Sequence, residues 1–276
     1  MANPCWWFLE TGARTGAFNM ALDEALARQL AEPGMPMPGR TPVPLDGQEP
    51  LPTLRLFRWE PWAISVGYNQ GTDELDAEKC KRDGIDIVRR PTGGRAILHA
   101  EELTYSIVMP AGRRSVLQVY NDISRALVRG LHLFGVDASL QRSQPHFPGV
   151  YRHPSSIPCF TRSSRYEIEW SGRKLVGSAQ RRFAGGGRDV VLQHGSILCG
   201  PAHQRLADYL QLEHGETLAQ IRQELRCKTV DCSEILGHPV DFRHLTDCIR
   251  RGCELEWEIA FTEATIPAAL GQASGS

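Results

Sequence analysis

The 276-residue sequence has no run of about eighteen apolar residues, so no membrane-spanning helix is read from it. It also lacks an excess of charge: 31 Lys and Arg stand against 32 Asp and Glu, a net of −1. Bulk electrostatics therefore gives no reason to expect a nucleic acid or an anionic membrane surface as partner. The first residues, MANPCWWFLETGART, show no basic stretch followed by an apolar one. No secretory signal is read, and a cytoplasmic location is expected. In such a reducing compartment the eight cysteines are not a disulfide framework. They read as core residues, metal ligands or a catalytic thiol. No repeat of solenoid period is evident.

What is present is ordinary globular material, 41% apolar and 23% charged, enough to bury a sizeable core. A short strand is expected at Trp6–Leu9 and a helix from Asn19 to about Leu30, where Met20, Ala21, Ala25 and Leu26 share a stripe. The Pro- and Gly-rich stretch at about 32–52 reads as an exposed insertion. Strands are expected at Leu54–Trp59, Ala63–Gly67, Ile85–Arg89, Leu103–Met109 and Asp189–Leu198. Helices are expected at Thr72–Arg82, capped by Thr72, and at Ser115–Phe134, stopped by Gly135. Tyr166, Ile168 and Trp170 alternate with charged residues, Ser171-Gly172 turns the chain, and Lys174-Leu175-Val176 returns it as a hairpin. Hairpins dominate and crossover helices are few, so the expected fold is α+β with a mixed, largely antiparallel sheet flanked by helices. The expected organisation is a core at 1–200 with the insertion at about 32–52, a helical extension of the same domain at 201–260, and a disordered tail at 261–276.

Three segments could carry chemistry. In Arg89-Arg90-Pro91-Thr92-Gly93-Gly94-Arg95, the paired glycines let a ligand approach the backbone, and the arginines could pair with a phosphate or carboxylate. The plainer reading is a tight turn with a solvated basic face. In Gly172–Gln180, Lys174 precedes the small residues Gly177, Ser178 and Ala179, which leave room for an elongated ligand, although on spacing alone a hairpin lysine pointing to solvent is the simpler reading. Cys159 follows Pro158 in a loop with Arg152, His153, Arg162 and Arg165 nearby, surroundings that favour a thiolate. The alternative is a packed small hydrophobe. Cys227 with Cys232, and Cys248 with Cys253, are spaced more widely than zinc pairs usually are. On a helix the second pair stands about 140° apart, so no metal is assigned.

Taken in order, RRPTGGRAILH, ELTYSIV, a loop Cys-Phe, GRKLVGSAQ and LQHGSIL resemble the lipoate/biotin ligase and octanoyltransferase superfamily over about residues 6–255. The helix beginning Asn19-Met20-Ala21-Leu22-Asp23-Glu24 also resembles that family's first helix. The likeness is greatest to the cysteine-dependent octanoyltransferases of the Gram-positive type. Arg95 stands where lipoate ligases carry a third glycine, and Ala100-Glu101-Glu102 follows His99 where they continue with an acidic residue and Gly-Asn. The resemblance implies the ligase-like catalytic fold and octanoyl transfer from acyl carrier protein to a lysine of a lipoyl domain or glycine cleavage H protein. It implies Cys159 as the acyl-bearing residue and Lys174 as its catalytic partner. Arg90, Gly93, Gly94, Arg95, His99, Gly177, Ser178 and His194 would bind substrate, with no cofactor and no metal, in a monomer. The related alternatives are an ATP-dependent lipoate–protein ligase and an amidotransferase between lipoyl proteins. A binding module without activity is the alternative of another class.

Overall fold

The structure is a computed structural model that describes residues 3–33, 49–141, 167–212 and 215–266. Cys159, Tyr166 and most of the Pro-rich insertion lie outside the described residues. The elements in chain order begin with β1 (Cys5–Arg14), α1 (Gly16–Ala31), β2 (Thr53–Trp59), β3 (Ala63–Val66), α2 (Ala77–Arg82), β4 (Asp86–Arg89) and β5 (Ile97–His99). They continue with β6 (Glu102–Pro110), α3 (Val116–Leu133), β7 (Ser139–Gln141), β8 (Glu167–Trp170), β9 (Arg173–Gly185) and β10 (Arg188–Leu198). A 3-10 stretch (Pro201–Tyr209), α4 (Gly215–Lys228), α5 (Cys232–Leu236), α6 (Phe242–Trp257) and β11 (Ala260–Glu263) complete them.

An eight-stranded sheet runs β11-β1-β2-β6-β10-β9-β8-β7. Among the described residues, only the β1 pairings, to β2 and β11, are parallel in it. A three-stranded sheet, β4-β3-β5, stands beside it. The mixed, largely antiparallel α+β fold is thus the one observed. Alternation along the strands sends Leu103, Tyr105 and Ile107 to a core under α3 and α6, and Val108, Val190 and Leu192 to the opposite face under α1. The first core also takes Leu245, Ile249 and Cys253, so residues before and after position 200 share one interior.

Local chemistry sets the ends of the elements. Thr15 caps α1 by accepting from Phe18 N–H, and Ser115 with Gln118 forms a capping box at α3. The helix expected from Thr72 starts instead at Ala77. Asp76 Oδ1 accepts from Lys79 N–H at 2.8 Å, while Leu75 is held in a bridge to Leu210 that a helix could not make. Positive φ at Ser171 and Gly172, and again at Gly186 and Gly187, gives the hairpin turns around β9. The short strands β5, β7 and β11 were not foreseen. β11 pairs with β1 and carries ordered chain into the stretch expected to be a tail, because Ala260 N–H finds Pro4 O at 3.0 Å and the ladder continues from there.

Candidate active site

A pocket of about 350 Å³ up to its mouth opens between α1 and the two sheets. Met20 comes from α1, Trp59 from the end of β2, His99 from β5, Thr104 from β6, and Gly177, Ser178 and Ala179 from β9. β10 supplies His194, Gly195 and Ser196, and Arg90 reaches in from the loop after β4. Small residues keep this part of the sheet low. Gly195 answers to the opposite, Tyr105-bearing face, where a Cβ would lie 2.3 Å from Gly177 O and 2.8 Å from Tyr105 Cε1, so no larger residue fits there.

Two buried hydrogen-bond networks hold the walls. In the first, Arg55 donates to Asp23 Oδ1 (2.7 Å), Asn19 Oδ1 (2.5 Å) and Thr11 Oγ1 (3.0 Å). Asp23 Oδ2 lies 3.0 Å from His194 Nδ1, and His194 Nε2 lies 2.6 Å from Thr92 Oγ1. The network therefore runs from α1 through β10 to the Gly93–Gly94 turn. In the second, Glu102 Oε1 meets His99 Nδ1 at 2.8 Å and accepts from Thr104 at 2.6 Å and Ser196 at 2.8 Å. His99 Nε2 lies 2.7 Å from Ser65 Oγ, and its ring stacks on Trp59 with centroids 4.0 Å apart.

These contacts set the protonation states. Burial pushes the Asp23 carboxyl up, but Arg55 and then His194 outweigh it and hold Asp23 below its ordinary range. Glu102 is likewise held low, with His99, Thr104 and Ser196 overcoming burial. Burial lowers the His194 imidazole despite Asp23, and neighbouring Arg90 and His99 add to the lowering.

Of the residues singled out in the sequence, Arg90, His99, Gly177, Ser178 and His194 converge on this pocket. Arg90 also shapes the loop beside it by donating to Ser65 O (2.9 Å), Gly93 O (3.0 Å) and Arg95 O (2.7 Å). Gly93 and Gly94 are exposed in that loop and Arg95 is half-buried. Nothing stands within 4 Å of a Cβ built on Gly93. Lys174 does not point to solvent, as the simplest hairpin reading had it. It is 5% exposed, and Nζ donates to Glu167 Oε1 at 2.7 Å. Cys159 lies outside the described residues. Cys232 and Cys253 are buried while Cys227 is exposed.

Sequence reasoning missed Asp23, Arg55, Glu102, Thr104 and Ser196. A signal existed for the first two. Asn19 and Asp23 put polar groups four residues apart on the stripe that carries Met20, and Arg55 interrupts the apolar strand Leu54–Phe57.

The family model described as the lipoyl protein ligase A/B catalytic domain matches residues 15–254. A protein of Geobacillus kaustophilus named octanoyltransferase LipM is 34% identical over 275 residues, covering 97% of this chain and 92% of that one. The LipM of Kyrpidia tusciae is 38% identical over 252 residues, covering 90% and 85%. The LipM of Bacillus subtilis is 32% identical, covering 92% and 87%. Among solved structures, the bipartite lipoate protein ligase of Thermoplasma acidophilum superposes with a TM-score of 0.70 at 19% identity, covering 98% of this chain and 89% of that one. A lipoate-protein ligase A bound with ATP gives 0.67 at 20% identity, covering 98% and 92%. Those two structures speak to the fold alone.

Proposed function

Because the chain belongs to the lipoyl protein ligase A/B catalytic domain family, we propose that it is an octanoyltransferase of protein lipoylation. The observation that carries this reading is the near-full-length likeness to proteins named octanoyltransferase. The pocket suits the chemistry, since the small residues of β9 and β10 leave a narrow space for an unbranched chain.

The reaction has two acyl-transfer steps. The Cys159 thiolate attacks the thioester carbonyl of octanoyl carrier protein. The carbonyl–sulfur bond to the carrier breaks, and the carrier thiolate leaves and takes up a proton. A neutral lysine amine of a lipoyl domain or of the glycine cleavage H protein then attacks the enzyme thioester. The new amide forms as the Cys159 thiolate leaves and the nitrogen loses its proton. Thioester exchange is close to isoenergetic and thioester to amide is downhill, so no nucleotide is consumed. The enzyme acts as a monomer. Lys174 favours the Cys159 thiolate and orients the acyl carbonyl. In support of a fixed ammonium, Lys174 is buried on β9 and its Nζ donates to Glu167 Oε1 at 2.7 Å.

Intact-protein mass spectrometry after mixing with octanoyl carrier protein tests the reading. An octanoyl adduct on Cys159 that disappears when lipoyl domain is added is expected, and Cys159→Ala should show neither adduct nor transfer. Turnover by the alanine variant would rule the mechanism out.

A further inference from the structure

Five of the pocket's walls are polar residues whose polar atoms face elsewhere. His99 Nδ1, Thr104 Oγ1 and Ser196 Oγ all meet one oxygen of Glu102, at 2.8, 2.6 and 2.8 Å. Glu102 is 1% exposed and stands behind the wall. The indole N–H of Trp59 is drawn back too, onto Thr104 Oγ1 at 2.7 Å. Across the pocket, His194 gives Nδ1 to Asp23 and Nε2 to Thr92. A carboxylate is an acceptor only, so Nδ1 of each ring carries the proton, and each Nε2 is occupied by a hydroxyl. The other two polar residues of the lining are engaged as well: Arg90 donates to Ser65, Gly93 and Arg95, and Ser178 Oγ accepts from Tyr105 O–H, so what the side chains turn to the pocket is mostly ring carbon, methyl and methylene.

We propose that Glu102, seconded by Asp23, is a specificity-determining positioning residue that withdraws the polar atoms of the wall, so that the pocket accepts a bare alkyl chain and rejects one with a polar substituent. The inference rests on the reading that this pocket receives the acyl chain. A hydroxyl on the chain would have to leave water for a wall that offers it no partner. Freed from Glu102, the donors of His99, Thr104 and Ser196 would turn toward the pocket and become partners for such a hydroxyl.

The test compares binding of octanoate with binding of 8-hydroxyoctanoate by calorimetry, which needs no turnover and so does not depend on the transfer mechanism. The wild-type protein should prefer octanoate. Glu102→Met, which removes the acceptor at similar size, should reduce that preference ten-fold or more. Glu102→Gln, whose carbonyl can still accept, should restore most of it. A purely structural role would weaken both ligands equally and leave the ratio unchanged in Glu102→Met, which would overturn the proposal. If octanoate binds the wild-type protein no better than the hydroxy acid, the proposal fails at once, even if octanoyl transfer to a lipoyl domain is observed. Should the methionine variant not fold, nitrogen-15 spectra of the wild-type histidines decide instead. Both rings should carry a proton on Nδ1, and a bare Nδ1 on either one sinks the idea.

Discussion

Arg55 and Asp23 are both shut off from water, and each exists as an ion there because the other is 2.7 Å away. Taking two charges from water is costly, and removing one partner leaves the other unpaired. Asp23→Ala should therefore destabilise the fold by about 3–5 kcal/mol, which denaturant titration would measure. The same residues set the response to acid. Asp23 and Glu102 titrate below their ordinary range in the native state, so the unfolded chain binds protons there first as pH falls. Their contribution is complete above about pH 5 and is lost from about pH 4 downward. His194 and His203 are depressed mainly by burial, so their unfolded imidazoles take up protons first, from about pH 6.5 downward. Both effects have one sign: calorimetry should show the melting temperature falling from pH 7 to pH 5 and more steeply below pH 4. A flat profile would mean these groups are not buried as described. At this scale the sequence revealed residue types more readily than partners. His99 and His194 were visible as candidates, but Asp23 meets His194 across 171 positions of chain. No local pattern encodes such a contact, and only tertiary packing creates it.

Among the elements, α3 and α6 cross where both have given up side chains. A Cβ on Gly252 would lie 2.4 Å from Gly130 N and 2.6 Å from Ala126 O, and one on Gly130 would lie 2.7 Å from Ile249 Cα. Alanine normally improves a helix over glycine, but here backbone meets backbone and nothing flexible can yield. Gly252→Ala should therefore destabilise by roughly 1–3 kcal/mol, read as a lower midpoint in urea, whereas a gain would show that the helices can separate at no cost. Elements with local signatures were legible: Ser115 and Gly135 mark α3 almost to the residue, and Ser171-Gly172 marks a hairpin. α2 was drawn too long because Thr72 resembles a cap, while the residue that caps is Asp76. β5, β7 and β11 are three or four residues long, too short to show an alternation, and they exist through the strands beside them.

In the molecule as a whole, the outermost strand of the large sheet comes from the far end of the chain. β11 lies parallel to β1, with Cys5 opposite Ala260 and Phe8 opposite Glu263. Until β11 arrives, β1 presents a bare row of N–H and C=O groups next to Trp6, Trp7 and Phe8. An uncovered edge of this kind is a template for another copy of the chain. A chain ended after Ile259 should keep the pocket, whose lining residues all precede position 200, and yet self-associate. Light scattering and sedimentation should then report aggregates that the 276-residue chain does not form. A truncated chain that stays dispersed would show that β1 needs no cover. On this view β11 has no part in the chemistry: it is a sealing strip that keeps a parallel edge from recruiting its neighbours.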